Sequence, residues 1–225
     1  DLKFCILKMQ TVAATLLLYC KEIHNMNNFS DYQKINGNFV HPTAIVYWDK
    51  IKIGTGNIIH PYAVIGGDAQ HLREESTGFI EIGDNNVFRE YVTVHMPTSI
   101  SKLTKIGNNC LFMVLAHIAH DCIVEDNVRM SNNSILSGHV HVMTGAVLGL
   151  SCCVHQWQVI GSYTMLGMGT IVSATNKILP GKIYVGASAN GLKENTIGLE
   201  RNNITPEILE NEIKRFEKLH GDMHS

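Results

Sequence analysis

The chain has 225 residues, of which 45% are hydrophobic and 17% charged, and its formal net charge at pH 7 is -2. This length fits one domain with short appendages. Without a basic field the chain has little to attract nucleic acid, so we expect no nucleic-acid partner. Its six cysteines show no CxxC spacing, and a reducing cytoplasm explains them more simply than a disulfide framework does.

The first thirty residues differ from the rest of the chain. Thr11 to Cys20 is an apolar run that is far shorter than the roughly 20 residues of a membrane span, so we expect no membrane span. One interpretation is a cleaved targeting segment. The alternative is an upstream stretch outside the fold, with Met26 as a natural start. Residues 1–30 are therefore predicted to be an N-terminal extension whose role the sequence leaves open.

An apolar residue recurs at every sixth position through much of the chain. The longest series consists of Ile106, Phe112, Ile118, Val124, Met130, Leu136, Val142, Leu148, Val154, Ile160, Leu166 and Val172. The same period appears earlier, at Ile53, Ile59 and Ile65 and at Ile82, Phe88 and Val94. A period of six matches neither the helical repeat of 3.6 nor the strand alternation of 2. It is typical of a parallel β-helix, in which three hexads make one triangular coil and the coils stack.

The fourth residue after each apolar lead is mostly small. These residues include Ala63, Cys110, Ala116, Cys122, Ser134, Ala146, Cys152, Thr164 and Thr170. The apolar residue that begins each hexad and the small residue four positions later would both point into the coil. A larger side chain at the second position would collide with the next coil. The sequence therefore predicts an all-β fold, a left-handed parallel β-helix of hexapeptide repeats over residues 39–190.

Two polar segments interrupt the hexads, and a helix follows them. Residues 71–78 and 95–105 break the period, and loops of this kind commonly carry function. After residue 172 the period fades, and residues 191–225 are predicted to form a C-terminal helical tail. Its helix should begin with Thr205 as N-cap and Pro206 in the first turn. We expect one apolar stripe on it, formed by Ile208, Leu209, Ile213, Phe216 and Leu219.

Four of the twelve histidines fall in three consecutive coils. Since one coil takes eighteen residues, positions 120, 138 and 156 should lie above one another. These positions and their neighbours are His120, Gly138, Gln156, His139 and His155, with His117 a half-hexad away. The simplest alternative is a set of solvent-exposed histidines on a strand face, or packing at an interface.

Two chemistries could use this cluster. Histidine is a common zinc ligand, but the spacing differs from that of the β-helical γ-type carbonic anhydrases and no convergent carboxylate or cysteine is evident. The other chemistry is acyl transfer, with one imidazole as general base and Asp121 beside His120 to fix its tautomer. Gly138, one coil above, would let a backbone N–H approach and hold an oxyanion.

Three segments of the cluster resemble a known family. They are Ala116 to Cys122 (AHIAHDC), Ser137 to Val140 (SGHV) and Val154 to Gln156 (VHQ). They are similar to the UDP-N-acetylglucosamine O-acyltransferases that begin lipid A synthesis, and the similarity extends over roughly residues 39–205. This resemblance implies transfer of a 3-hydroxyacyl chain from acyl carrier protein to the glucosamine 3-hydroxyl, by trimers with active sites between subunits. It implies neither a metal nor another cofactor.

The resemblance also implies residue roles. His120 matches the general base, Asp121 its supporting carboxylate and Gly138 the oxyanion donor. The residues matching substrate-binding positions are Gln70, His71, Arg73, His117, His139, His155, Gln156, Met168, Asn190 and Arg201. Three features depart from the family: His71 stands where a carboxylate is usual, Asn202 replaces one arginine of a pair, and the helical tail is short.

We therefore expect a cytoplasmic acyltransferase acting on a UDP-linked amino sugar, most simply UDP-N-acetylglucosamine. One alternative is N-acylation of a 3-amino nucleotide sugar, which His71 and the short tail favour. A zinc-dependent hydratase is a further alternative. Because Met168 fills space that long chains would need, the donor is expected to carry an acyl group of about ten to twelve carbons, at roughly 0.8 kcal/mol per buried methylene.

Overall fold

A computed structural model describes residues 30–224, and the chain from Gln33 onward forms one compact unit. The predicted N-terminal extension and its apolar run lie almost wholly outside the described residues. Within residues 30–224, neither helix combines the length and the apolar character that a membrane crossing needs.

Short strands form three sheets, which are the three walls of a triangular coil. Sheet A contains β1 (Gln33–Ile35), β2 (Asn38–Val40), β5 (Ile58–Ile59), β8 (Val87–Phe88), β11 (Leu111–Phe112), β14 (Arg129–Met130), β17 (Val147–Leu148), β20 (Met165–Leu166), β22 (Lys182–Val185) and β23 (Asn190–Glu194). Sheet B contains β3 (Ile45–Val46), β6 (Val64–Gly67), β9 (Thr93–His95), β12 (His117–Ile118), β15 (Ile135–Leu136), β18 (Cys153–Val154) and β21 (Ile171–Val172). Sheet C contains β4 (Ile51–Ile53), β7 (Phe79–Ile82), β10 (Leu103–Ile106), β13 (Ile123–Val124), β16 (His141–Val142) and β19 (Val159–Ile160).

The register between coils is eighteen residues through the uninterrupted part of the chain. His117 pairs with Ile135 and Ile135 with Cys153, in parallel strands. Each coil therefore repeats the side-chain positions of the coil below. This confirms the predicted left-handed parallel β-helix of hexapeptide repeats. The strands run from Gln33 to Glu194, and the division at residues 190 and 191 stays a prediction.

The turns between sheets share one feature that the hexad pattern did not reveal. At most of these turns the third residue after the apolar lead has a positive φ, near +60° at Asp121, His139 and Trp157. Asparagine and aspartate tolerate this left-handed conformation better than other non-glycine residues do, which explains Asn109 and Asn127 at equivalent turns. The recurring left-handed turn is thus a property of the fold as a whole.

A buried asparagine ladder lines part of the interior. Asn57 donates its amide to Asn38 Oδ1 at 2.9 Å and to the carbonyl of Gly83 at 3.0 Å. Its own Oδ1 accepts the backbone N–H of Asn86 at 2.8 Å, and Asn86 Oδ1 accepts that of Cys110 at 2.8 Å. The three asparagines are fully buried; Asn38 begins β2, and Asn57 and Asn86 directly precede β5 and β8. Their side chains satisfy buried backbone groups of the neighbouring coils.

The two loops and the tail refine the sequence prediction. His95 belongs to β9 and Lys105 to β10, so the second loop covers residues 96–102 only. Helix α1 (Thr196–Arg201), capped by Asn195, was not predicted. Helix α2 (Pro206–His224) was predicted, and Thr205 Oγ1 accepts the N–H of Ile208 as expected of an N-cap.

The predicted apolar stripe on α2 was only partly right. Phe216 is fully buried against Met143 and Val159, but Ile208 and Ile213 are exposed. Polar contacts replace them, because Arg215 pairs with both Glu125 on the coils and Glu212 on its own helix. The helix therefore covers the side of sheet C, where β19 lies.

We predict that Asn57→Ala lowers the free energy of unfolding by about 3 kcal/mol. The alanine would leave the N–H of Asn86 and the carbonyl of Gly83 buried without these partners, and each such group costs about 1–3 kcal/mol. Urea unfolding followed by circular dichroism measures the difference. Asn211→Ala, at an exposed position of α2, is the control and should change stability little. Equal effects of the two substitutions would contradict a structural role for the ladder.

Candidate active site

The predicted histidine cluster lies on the edge where sheet B turns into sheet C. His120 is in the turn between β12 and β13, and Gly138 is in the next turn above, between β15 and β16. A Cβ atom added to Gly138 would lie only 2.3 Å from Cε1 of His120. Glycine is therefore required here, because its backbone packs directly against the imidazole. The sequence prediction that these two residues stack is confirmed.

His120 and Asp121 form a buried hydrogen-bonded pair. Nδ1 of His120 lies 2.7 Å from Oδ2 of Asp121, and only 7% of His120 is exposed. The carboxylate also accepts the backbone N–H of Thr98 at 3.0 Å, the Thr98 hydroxyl at 2.7 Å and the Ser101 hydroxyl. Burial alone would raise the pKa of Asp121, but the hydrogen bonds from Ser101, Thr98 and His120 outweigh it and the pKa is lowered. An ionised Asp121 holds the Nδ1–H tautomer of His120, which leaves Nε2 as the basic nitrogen.

The anchors of Asp121 come from the second loop, residues 96–102. Sequence reasoning identified this segment as a functional loop but did not single out Thr98 or Ser101. Their distance along the chain from Asp121, 23 and 20 residues, departs from the eighteen-residue coil because the loop is inserted between coils. No sequence motif identifies Thr98 and Ser101 as site residues, since serine and threonine are common in loops.

Two further histidines surround the pair in neutral form. The His139 ring meets the His120 ring edge to face at 5.2 Å, with Nε2 3.5 Å from Oδ2 of Asp121. The pKa of His139 is lowered, chiefly by burial and then by the neighbouring His120 and His71, although Asp121 opposes this. Burial, together with His95 and His120, lowers the pKa of His117 to about 4. The predicted cluster is therefore largely buried, which excludes the alternative of solvent-exposed histidines for these members.

His95 is a site residue that the sequence did not single out. It is buried, and its ring meets that of His117 edge to face at 4.9 Å. His117 Nδ1 lies 2.7 Å from the hydroxyl of Thr93. His95 and Thr93 lie on β9, directly below β12. The inserted loop makes the spacing between these two strands longer than eighteen residues, so counting back in steps of eighteen could not identify either residue. Knowing which strands pair would have identified both.

The first loop brings one predicted residue onto the cluster. The exposed His71 ring meets the His120 ring edge to face at 5.4 Å. Its Nδ1 accepts the backbone N–H groups of Arg73 and Glu74 at 3.3 Å and 3.0 Å, which orients the ring. Gln70 and Arg73 are exposed on the same loop. The hydroxyl of Ser99 donates to Glu74, so the two loops are tied together beside His120.

The other predicted binding residues lie apart from this cluster within the chain. His155 and Gln156 are exposed in the turn above Gly138. Met168, which is 56% exposed, lies on a different edge, between β20 of sheet A and β21 of sheet B. Asn190 begins β23 and Arg201 ends α1. The single chain therefore brings together the acid–base residues but not all the predicted substrate contacts.

The cluster also contains atoms that could ligate a metal ion. One ligand atom each of His120, Asp121 and His139 lies within 4.8 Å of the others. The expectation that no carboxylate converges on the histidines was therefore wrong. Both oxygens of Asp121 nevertheless accept hydrogen bonds from protein donors, an arrangement suited to orienting an imidazole. The absence of a bound metal stays a prediction.

The geometry supports general-base chemistry. Nε2 of His120 is next to the backbone of Gly138, whose N–H donates to no protein acceptor within the described residues 30–224. A proton acceptor and a free backbone donor on one small surface can serve an acyl transfer, in which one group loses a proton and a carbonyl oxygen gains negative charge.

Comparisons with known proteins agree with this chemistry. The family model for the bacterial transferase hexapeptide (six repeats) matches residues 103–138. An acyl-[acyl-carrier-protein]--UDP-N-acetylglucosamine O-acyltransferase from Gloeothece citriformis is 41% identical over 117 residues, 52% of this chain and 42% of that protein. Another from Synechocystis is 35% identical over 159 residues, 70% of this chain and 57% of that protein. The chain thus spans about half the length of these curated relatives.

A solved structure gives a longer match. The UDP-N-acetylglucosamine acyltransferase from Bacteroides fragilis superimposes with a TM-score of 0.71 and is 33% identical. The superposition covers 79% of this chain and 69% of that structure. The likeness therefore extends over most of this chain.

Proposed function

Because this chain belongs to the UDP-N-acetylglucosamine O-acyltransferase family, we propose that it transfers a 3-hydroxyacyl chain from acyl carrier protein to the 3-hydroxyl of UDP-N-acetylglucosamine. The observation that carries this proposal is the buried His120–Asp121 pair with Gly138 stacked on the imidazole. The relatives are named as O-acyltransferases, which favours the hydroxyl acceptor over a 3-amino sugar.

The proposed reaction uses His120 as its general base. Nε2 removes the proton of the acceptor hydroxyl while the oxygen attacks the thioester carbonyl of the donor. The N–H of Gly138 stabilises the oxyanion of the tetrahedral intermediate. The intermediate collapses, the carbon–sulfur bond breaks, and the carrier thiolate receives the proton from His120. Asp121 stays ionised throughout and stabilises the imidazolium, so no covalent acyl-enzyme and no cofactor is needed.

Substrate binding is proposed for residues around this centre. His71, His117 and His139 contact His120 or lie beside it, and this proximity supports the proposal that they line the acceptor pocket. The more distant residues proposed to hold the nucleotide, the sugar or the acyl chain are Gln70, Arg73, His155, Gln156, Met168, Asn190 and Arg201. Since this reaction takes its acyl group from acylated acyl carrier protein and the four described cysteines are free thiols, we propose that the protein is cytoplasmic.

We also propose that the protein is a homotrimer, because one edge of the coil exposes an apolar surface. The edge between sheets A and B carries large apolar side chains that are 42–56% exposed, namely Tyr62, Tyr91, Leu115, Leu150 and Met168. The Tyr62 and Tyr91 rings stack at 5.1 Å, which makes the surface continuous. Apolar patches of this kind mark contact surfaces. A neighbouring subunit would cover this edge and bring Met168 to a cleft that the single chain leaves open.

We expect His120→Ala to reduce acyl transfer by about 100- to 10,000-fold, the usual cost of losing a general base. The assay follows transfer from a 3-hydroxyacyl carrier protein to UDP-N-acetylglucosamine, with its 3-amino analogue in parallel. His155→Ala, at an exposed position in the turn above, is the control and should act mainly on KM. Activity of His120→Ala within a few-fold of the parent would rule out His120 as the base. Strong preference for the amine would rule out the hydroxyl acceptor.

The trimer is tested by Leu115→Asp. Aspartate tolerates the left-handed turn at this position, but in an interface it would bury an unpaired carboxylate. Light scattering should give a particle of three 25.0 kDa chains for the parent and a smaller particle for the variant. Asn127→Asp, at an equivalent turn on the edge between sheets C and A, is the control and should stay trimeric. A monomeric parent at micromolar concentration would contradict both the trimer and the shared site.

Chain-length preference is tested by Met168→Gly. If Met168 ends the acyl groove, its removal should shift preference from donors of about ten to twelve carbons to longer ones, at roughly 0.8 kcal/mol for each methylene newly buried. Competition between donors of different length measures the shift. Met165→Ala, on the adjacent strand β20, is the control for a general loosening of this region. An unchanged preference would mean that the groove does not end at Met168.

A further inference from the structure

Trp157 has no role in the proposed reaction, yet it lies in the same column as Asp121 and His139. The three residues occupy equivalent left-handed turns in successive coils on the edge between sheets B and C. The Trp157 ring lies flat on the His139 imidazole, with ring centroids 3.7 Å apart and planes 5° from parallel. Its backbone N–H donates to the carbonyl of Gly138 at 3.2 Å. Trp157 thus contacts both Gly138, which packs on His120, and His139, which approaches Asp121.

The left-handed turn does not by itself explain a tryptophan here. The same turn is made by Leu115 and Tyr163 away from this edge, so the conformation belongs to the fold. Each bulky residue in it carries a conformational cost that asparagine or glycine would avoid. At position 157 the side chain gains an aromatic stack on a buried imidazole, a contact that stabilises beyond the apolar area that it buries. The stack is therefore what distinguishes Trp157 from other turn residues.

We propose that Trp157 is a positioning residue: its indole holds the His139 ring with Nε2 toward Asp121 and covers that ring from water. The proposal rests on the proposed function, because it acts through the His120–Asp121 pair. His139 can rotate about its side-chain bonds, and a flat stack restricts the plane of the imidazole. With Nε2 at 3.5 Å from Asp121, the held ring adds a donor to the carboxylate without displacing His120.

The cover also keeps His139 neutral. Burial is the largest cause that lowers the pKa of His139, and the indole supplies part of that burial. The charged and titratable groups facing His139 are Asp121, which favours its protonation, and His120 and His71, which oppose it. A protonated His139 would compete with His120 for the negative charge of Asp121. Its positive charge would also disfavour the imidazolium that forms when His120 takes up a proton. Loss of the cover should therefore weaken the base, and more strongly at lower pH.

The test compares Trp157→Asn with Trp157→Phe. Asparagine suits the left-handed turn but removes the ring, whereas phenylalanine retains a face that can stack. We expect Trp157→Asn to lower kcat by about tenfold with little change in KM, the size expected for loss of one aromatic pair. Because the form with a protonated His139 is the less active one and would persist to higher pH in this variant, the acidic limb of the pH profile should move to higher pH. Trp157→Phe should stay within about threefold of the parent.

Two further measurements keep the outcome independent of activity and folding. Tyr163→Asn makes the same replacement at an equivalent turn on another edge and should leave kcat and the pH profile unchanged. NMR titration of the histidines should show a higher His139 pKa in Trp157→Asn than in the parent, even if the acyltransfer assay finds no activity. The proposal is overturned if His139 titrates identically in both. It is equally overturned if Trp157→Asn raises KM alone with an unchanged pH profile, since that result would make Trp157 a substrate contact.

Discussion

The eighteen-residue register of parallel hydrogen bonds is the constraint on which the rest of this structure depends. It repeats each side-chain position one coil higher, so residues far apart in sequence become neighbours in a column. Asp121, His139 and Trp157 form one such column, and His120 with Gly138 forms the next. Insertion of a single residue within these coils would rotate the column and separate the base from its support. The two long loops do not disturb this register, because the strands before and after each loop pair with strands of the neighbouring coils.

A second constraint is the charge state of a crowded imidazole cluster. His95, His117, His120 and His139 lie close together, and protonation of several would place like charges in a poorly hydrated space. Burial lowers the pKa of His95, His117 and His139, which leaves Asp121 as the local charge. That carboxylate is stabilised by Thr98 and Ser101 in addition to His120. The second loop thus supports the proposed acid–base pair through Asp121, and this role requires no contact between the loop and substrate.

The sequence could predict the features that follow from a linear period. The six-residue period predicted the coil, and the eighteen-residue coil predicted which residues lie above one another. This is how the sequence predicted that His120 lies below Gly138. Features that depend on a break in the period could not be predicted, and Thr98 and Ser101 are examples because the inserted loop has no register. Helix α1 was missed since six residues give no helical period. The stripe on α2 was misassigned because Arg215 docks on a half-buried carboxylate, Glu125. The stack of Trp157 on His139 follows from the register but requires a turn geometry that only coordinates reveal.

The rigidity of the coil finally bears on where the substrate contacts must come from. Met168 lies on the edge between sheets A and B, whereas His120 lies on the edge between sheets B and C. A triangular coil hydrogen-bonded to both of its neighbours cannot fold one edge onto another, so one chain cannot close a pocket around residues of both. Helix α2 covers the side of sheet C and leaves sheet B between the two edges. A closed groove that reaches both His120 and Met168 would need a second wall facing sheet B. We propose that a neighbouring copy supplies this wall, so the proposed trimer and the proposed acyl groove depend on each other.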